Sequence, residues 1–108
     1  MFKVNEYFEG KVKSLAFKDG DCDATIGVMA KGEYEFGTST KEVMTVISGK
    51  LFIKFPDCDN WHEYSKFDNF TIEANKKFQV KTAGDSTYIC RYYKDAKEKC
   101  GCNCNCDC

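Results

Sequence analysis

The sequence predicts an all-β domain of about nine short antiparallel strands. Apolar and polar residues alternate with the period of a strand in several short runs, and aromatic residues make up 15% of the chain. Aromatic and β-branched side chains favour strands because they pack well on a pleated surface. Turn signals separate the runs at regular intervals, and no stretch of any length has helical periodicity. Together these features predict a β-sandwich or a small barrel.

The first two predicted strands lie on either side of a turn. Residues 11–18 form the first strand, and Lys18-Asp19-Gly20-Asp21 provides the turn. Residues 24–31 form the second strand. Gly27 interrupts its run of apolar residues, which indicates a bulge or a close backbone approach at that position.

The central stretch, residues 32–49, reads GEYEFGTSTKEVMTVISG and predicts two strands with a bend between them. Tyr34 and Phe36 alternate with glutamates, and Met44 begins a β-rich run that ends at the turn signal Ser48-Gly49. The remaining strands are predicted at 50–55, 61–64, 70–72, 78–81 and 87–93.

The chain of 108 residues is long enough for one domain with a modest core. We assign residues 1–94 to a β-barrel domain and residues 95–108 to a cysteine-rich tail. The net charge is −1, and the fifteen lysines and one arginine are spread along the chain. This distribution predicts no nucleic-acid partner and no acidic membrane surface as a partner. No apolar run is long enough to span a bilayer.

Eight cysteines divide between the predicted domain and the tail. Cys22, Cys58 and Cys90 are scattered, and the start of the chain lacks the apolar core of a secretory signal. We therefore expect a cytoplasmic protein with reduced thiols. The tail resembles the Cys-x-Cys repeats of metallothioneins, which suit soft ions such as Cu(I) or Zn(II), although a tail with no selected role is equally open. The candidate tail ligands are Cys100, Cys102, Cys104, Cys106 and Cys108.

The central stretch also resembles the first sequence motif of the cupin barrels. Thr38 and Thr40 stand where two metal-binding histidines would, Phe78 stands where a third would, and Glu42 keeps the position of the motif glutamate. A transition-metal site needs about three or four protein ligands, so we expect no metal in the barrel. The resemblance implies a single small cupin β-barrel, or jelly roll.

A closer resemblance covers nearly the whole domain, from Asn5 to about Tyr93. The chain resembles the small, metal-free cupin family of pyrimidine/purine nucleoside phosphorylases. The matching segments are NEYF at 5–8, GKVKS at 10–14, GVM at 27–29, GEY at 32–34, MTVISG at 44–49 and CRY at 90–92. Two features depart from the family pattern: residues 67–75 lack its glycine and its Pro-Gly turn, and the cysteine-rich tail is extra.

This resemblance implies phosphate-dependent cleavage of purine and pyrimidine nucleosides to a free base and a pentose 1-phosphate, the reaction of a pentosyltransferase. It implies inorganic phosphate as co-substrate, no cofactor, and a homodimer. A non-enzymatic cupin that binds a small polar ligand is the alternative, and the unusual segment 67–75 favours it.

Phosphorolysis passes through an oxocarbenium-like centre, so the site needs a cation, hydroxyl donors, a carboxylate and an aromatic wall. Arg91 is the candidate phosphate ligand, unless it points outward and pairs with a surface carboxylate. Glu42 is expected to face inward as the second catalytic residue, unless it is a structural carboxylate. Thr38 and Thr40 are expected to direct hydroxyls at phosphate or ribose, unless they are ordinary strand threonines.

Three aromatic residues share the inward parity of the central stretch and its partner strand: Tyr34, Phe36 and Phe78. One of them is expected to stack on the nucleobase, and the alternative is that they belong to the core. His62, the only histidine, has no Ser, Cys or Asp at a spacing that indicates a shared site, so we expect it at the surface.

Overall fold

The computed structural model describes residues 1–93, and within this range the chain forms ten strands and no helix. The predicted all-β class is confirmed. The strands are β1 (Val4–Tyr7), β2 (Val12–Asp19), β3 (Cys22–Met29), β4 (Gly32–Gly37), β5 (Lys41–Ser48), β6 (Leu51–Lys54), β7 (His62–Tyr64), β8 (Asn69–Ile72), β9 (Lys77–Thr82) and β10 (Ser86–Tyr93).

The strands form two antiparallel sheets with one hydrophobic core. The larger sheet has the order β1-β2-β3-β10-β5-β8, and the smaller has the order β4-β9-β6-β7. Met29 and Val46 of the larger sheet and Leu51, Ile53 and Val80 of the smaller sheet are fully buried in the same cluster. Because successive side chains of a strand point to opposite faces, each sheet contributes one face to this core.

Strand β1 was not predicted from the sequence. It pairs with β2 at the edge of the larger sheet, with Val4 opposite Leu15 and Tyr7 opposite Val12. Most of its residues are exposed, so it lacks the buried face that produces an alternating pattern. The segment therefore gave no periodic signal, and only its pairing with β2 defines it as a strand.

Gly27 confirms the predicted close approach. It lies opposite Tyr88 in the β3–β10 pair, and a Cβ added to Gly27 would lie 2.4 Å from Cζ of the Tyr88 ring. Real Cβ atoms do not come so close to a neighbour, so a side chain here would displace the buried tyrosine.

We expect Gly27→Ala to lower the free energy of unfolding by about 1–3 kcal/mol, because overpacking forces side chains out of their preferred positions. For a domain of this size the melting temperature should fall by about 5–15 °C, measured by circular dichroism. Gly84→Ala is the matched control, since a Cβ at Gly84 meets nothing within 4 Å. Equal melting temperatures for the two variants would contradict the steric role of Gly27.

Two of the described cysteines agree with the expectation of reduced thiols, since Cys22 and Cys90 are free. Within residues 1–93 there is no helix with the length and apolar character needed to cross a membrane.

Candidate active site

A cavity of about 370 Å³ lies between the two sheets. Its walls differ in chemistry. The larger sheet contributes polar groups from Ser14, Thr25, Glu42, Tyr88 and Tyr92, and the smaller sheet contributes the rings of Phe36 and Phe78. The other lining residues are Tyr7, Phe8, Met29, Glu35, Gly37, Met44 and Cys90.

Glu42 reaches this cavity because of its position on β5. Glu42, Met44 and Val46 occupy alternate positions, and the last two belong to the core cluster, so all three point inward. The carboxylate oxygen Oε1 of Glu42 accepts a hydrogen bond from the Cys90 thiol at 3.3 Å. The predicted inward direction of Glu42 is therefore confirmed.

Burial gives Glu42 an unusual ionisation. Loss of solvent around its carboxyl group raises the pKa from an ordinary value of 4.5 to about 7, and the hydrogen bond from Cys90 opposes this shift only in part. Near neutral pH the group is therefore divided between acid and carboxylate. A carboxyl group with a pKa close to the working pH is typical of an active site.

Three other groups of the cavity, the Tyr88 and Tyr92 phenols and the Cys90 thiol, stay protonated near neutral pH. Burial raises the pKa of the Tyr88 and Tyr92 phenols and of the Cys90 thiol, because each would have to ionise away from water. The Tyr92 hydroxyl lies 3.1 Å from Oγ1 of Thr25. The cavity thus offers neutral hydroxyl donors, and the Cys90 thiol is not activated as a nucleophile.

We expect Glu42→Gln to stabilise the fold at alkaline pH. Because the folded pKa of this carboxyl is raised, its contribution favours folding at low pH and is lost as the pH rises from about 4.5 to about 7. Above that window the buried charge costs up to about 3 kcal/mol. The melting temperature of the variant should therefore exceed that of the parent by several degrees at pH 8 and by little at pH 4.5.

Glu33→Gln is the matched control for this stability experiment, since it removes one exposed carboxylate from β4. If Glu42→Gln has the same melting temperature as the parent at pH 8, the carboxylate at position 42 does not carry the expected cost of burial away from water.

The structure separates the predicted substrate-binding residues into two groups. Phe36 and Phe78 line the cavity with Glu42, whereas Tyr34, Thr38 and Thr40 are not among the lining residues. The expectation that both threonines point into the cavity is wrong, because β4 ends at Gly37 and strand parity does not extend through residues 38–40.

Two of these side chains form hydrogen bonds with backbone groups. The Thr38 hydroxyl donates to the Glu73 carbonyl at 2.7 Å and accepts from the Lys76 N–H at 3.1 Å. The Tyr34 hydroxyl donates to the Ala30 carbonyl at 2.7 Å. Thr38 therefore closes the bend after β4, and Tyr34 is a core residue with a satisfied hydroxyl.

Arg91 lies on the opposite face of its strand from the cavity. Tyr88, Cys90 and Tyr92 point inward on β10, so Arg91 points outward, and its Nε donates to Oδ2 of Asp19 at 2.6 Å. The geometry of one chain does not bring the guanidinium to Glu42. A role for Arg91 in binding phosphate stays a prediction.

Several lining residues were missed as site residues from the sequence. Tyr88, Cys90 and Tyr92 alternate along one strand, and this period was a usable signal once Arg91 was assigned to the other face. Ser14 and Thr25 gave no signal, because each is a small polar residue in an otherwise ordinary strand.

The metal prediction is addressed only in part by the structure. Among residues 1–93, no group of three His, Cys, Asp or Glu side chains is placed to hold a metal ion. The candidate ligands Cys100, Cys102, Cys104, Cys106 and Cys108 lie outside the described residues.

His62 is half-buried and packs its ring edge-on against Phe55 with centroids 5.4 Å apart, so the expectation of a surface histidine is only partly met.

A family model described as "Pyrimidine/purine nucleoside phosphorylase" matches residues 2–92. The chain belongs to this family. A curated relative with that name from Pseudomonas syringae pv. syringae is 55% identical over 92 residues, which cover 85% of this chain and 99% of the relative. A relative of the same name from Pseudomonas aeruginosa is 58% identical over the same length, with the same coverage of both chains.

Solved structures share the fold of this chain. A protein of unknown function from Vibrio parahaemolyticus has a TM-score of 0.83 and 40% identity, covering 86% of this chain and 99% of its own. An ethanolamine utilization protein Q from Salmonella typhimurium has a TM-score of 0.68 at 10% identity, covering 86% and 94%. The second likeness concerns the fold alone, and it confirms the predicted cupin-like architecture.

Proposed function

We propose that this chain is a nucleoside phosphorylase, a pentosyltransferase that cleaves purine and pyrimidine nucleosides with inorganic phosphate to a free base and a pentose 1-phosphate. The observation that carries the proposal is the two-sided cavity. One wall holds the Glu42 carboxyl group and several hydroxyls, and the other wall carries the rings of Phe36 and Phe78. A nucleoside has the same division, since a hydroxylated sugar is joined to a flat base.

Glu42 is the proposed catalytic group. Positive charge develops on the pentose as the bond to the base breaks, and a largely buried, ionised carboxylate stabilises such charge strongly. The hydroxyls of Tyr88, Tyr92 and Thr25 line the same wall, and they are the proposed partners of the pentose hydroxyls. Phosphate itself is the nucleophile, so no covalent enzyme residue is needed.

The aromatic wall explains how one site accepts both classes of base. Phe36 and Phe78 lie with ring centroids 6.0 Å apart and their planes tilted by 31°. Stacking on such rings binds every base because each base has a π-face. We therefore propose that these rings hold the base and discriminate little between purines and pyrimidines.

We propose a homodimer that contacts through the outer face of the larger sheet. Val4, Leu15, Ile26 and Val28 are large apolar residues exposed on this face, and the strand register aligns Val4 with Leu15 and Leu15 with Ile26. The four residues line one apolar depression. Such a patch on a small domain is typical of a protein–protein contact.

The dimer also gives Arg91 a proposed role in phosphate binding. Among the described residues that line the cavity, none is a lysine or an arginine, so one chain provides no cation for the phosphate. Arg91 lies on the outer face of the larger sheet, near the end of β2 that holds its partner Asp19. We propose that it reaches around this end of the sheet to the mouth of the partner chain's cavity, where a guanidinium binds phosphate oxygens in a bidentate manner.

The proposed function is tested by incubating the full chain in buffered solution with a nucleoside panel, with and without phosphate, and measuring free base by chromatography. Free base and pentose 1-phosphate should form only when phosphate is present. We propose that neither a metal nor an organic cofactor takes part, so activity should persist in the presence of a chelator. We also propose that the enzyme works in the cytoplasm. Nucleoside binding without turnover would favour a non-enzymatic cupin instead.

A further inference from the structure

The turn between β1 and β2 places two aromatic residues at the mouth of the cavity. Tyr7 ends β1 and Phe8 follows it, and both line the cavity. Phe8 and Glu9 have φ values of 53° and 59°, in the left-handed region that side chains other than glycine rarely adopt. Hydrogen bonds from Gly10 N–H to the Tyr7 carbonyl and from Lys11 N–H to the Phe8 carbonyl hold the turn closed.

Tyr7 and Phe8 meet a ring of the smaller sheet across the cavity. The Phe36 centroid is 5.9 Å from that of Tyr7 and 5.5 Å from that of Phe8, and both pairs are edge-on. Phe36 continues inward to Phe78 at 6.0 Å. An aromatic row therefore runs from the surface to the bottom of the cavity, and it joins elements that are distant in the sequence.

The exposure of these rings changes along the row. Tyr7 is 43% exposed and Phe8 is 42% exposed, whereas Phe78 is only 3% exposed. Core aromatics bury their faces, and an exposed tyrosine or phenylalanine beside a cavity leaves a face available for a ligand. The hydrogen-bonded turn fixes the backbone of these two residues before any ligand arrives, which lowers the entropy cost of binding.

We propose that Tyr7 and Phe8 form the outer half of the base-binding subsite and contact the outer part of a nucleobase that stacks on the Phe36 side of the cavity. This inference rests on the proposed nucleoside phosphorylase function. The two residues bind the base only, and the reacting carbon lies deeper, beside Glu42. Purines should depend on them more than pyrimidines do, because a two-ring base extends further toward the mouth.

The test compares Phe8→Ala and Tyr7→Ala with the parent in phosphorolysis of adenosine and uridine. We expect KM for adenosine to rise about 10-fold, as removal of a stacking ring does, and KM for uridine to rise less. The kcat value and KM for phosphate should change less than about 2-fold, because the lost contact is the same in ground and transition states. Phe8→Tyr should keep the parental KM for both nucleosides, because it retains an aromatic ring at this position.

Phe2→Ala is the matched control, since Phe2 is an exposed phenylalanine outside the lining of the cavity. Parental KM values in Phe8→Ala and Tyr7→Ala, or equal losses in kcat and in KM for phosphate, would overturn the base-binding role. If the parent releases no base, the proposed function has failed instead. Direct titration of adenosine into the parent and Phe8→Ala by calorimetry then decides the subsite, since equal affinities would overturn it.

Discussion

Glu42→Gln is expected to lower kcat/KM for nucleoside phosphorolysis by about 100- to 1,000-fold, the loss seen when one electrostatic stabiliser is removed from a dry active site. The glutamine keeps the shape of the side chain and an oxygen that accepts the hydrogen bond from the Cys90 thiol, which lies 3.3 Å away in the parent. The variant should therefore fold and bind nucleoside, and the loss should fall mainly on kcat. Initial rates of base release measure it.

The pH dependence of the parent's activity provides a second test of the catalytic role of Glu42. Because the ionised form stabilises the developing charge and the pKa is about 7, kcat/KM should rise with pH through that value. Glu42→Gln should lose this rise, while Glu33→Gln should keep both the rate and the profile of the parent. A folded Glu42→Gln enzyme with parental activity would exclude Glu42 from catalysis.

Arg91→Ala is expected to lower phosphate-dependent activity by about 100-fold, since a lost charge-assisted contact is worth roughly 3 kcal/mol. Arg91→Lys should recover little, because the ammonium lacks the bidentate fork. KM for phosphate should rise more than KM for nucleoside. Asp19→Asn is the matched control, because it removes the ion pair with Arg91 in the same chain without removing the guanidinium.

Mixed dimers decide whether Arg91 acts in the partner's cavity. A dimer of one Glu42→Gln chain and one Arg91→Ala chain would contain one complete site if Arg91 acts across the interface, and none if it acts within its own chain. With differently tagged, co-purified chains we expect about half of the parental activity. Activity no higher than in either homodimer, or equal losses in Asp19→Asn and Arg91→Ala, would contradict this assignment.

The sequence by itself determined the fold class and part of the site. Alternating aromatic and β-branched residues define strands, and the family segments between Asn5 and Tyr93 predict the barrel and its chemistry. Glu42 and Phe36 were placed correctly because each lies within a strand whose next inward residue, Met44 or Tyr34, is buried. Gly27 was also interpreted correctly, since a glycine within a strand signals a close neighbour.

Only the tertiary structure decided which face of β10 meets the cavity. Period-2 alternation divides a strand into two sets but does not say which set is buried, and here Ile89 and Arg91 alternate with Tyr88 and Cys90. The same limit applies at Thr38, where parity ends with the strand. The position of Tyr7 and Phe8 at the cavity could not be predicted from the local sequence. They lie on an exposed edge strand and in a left-handed turn, which reach Phe36 only when the two sheets pack together.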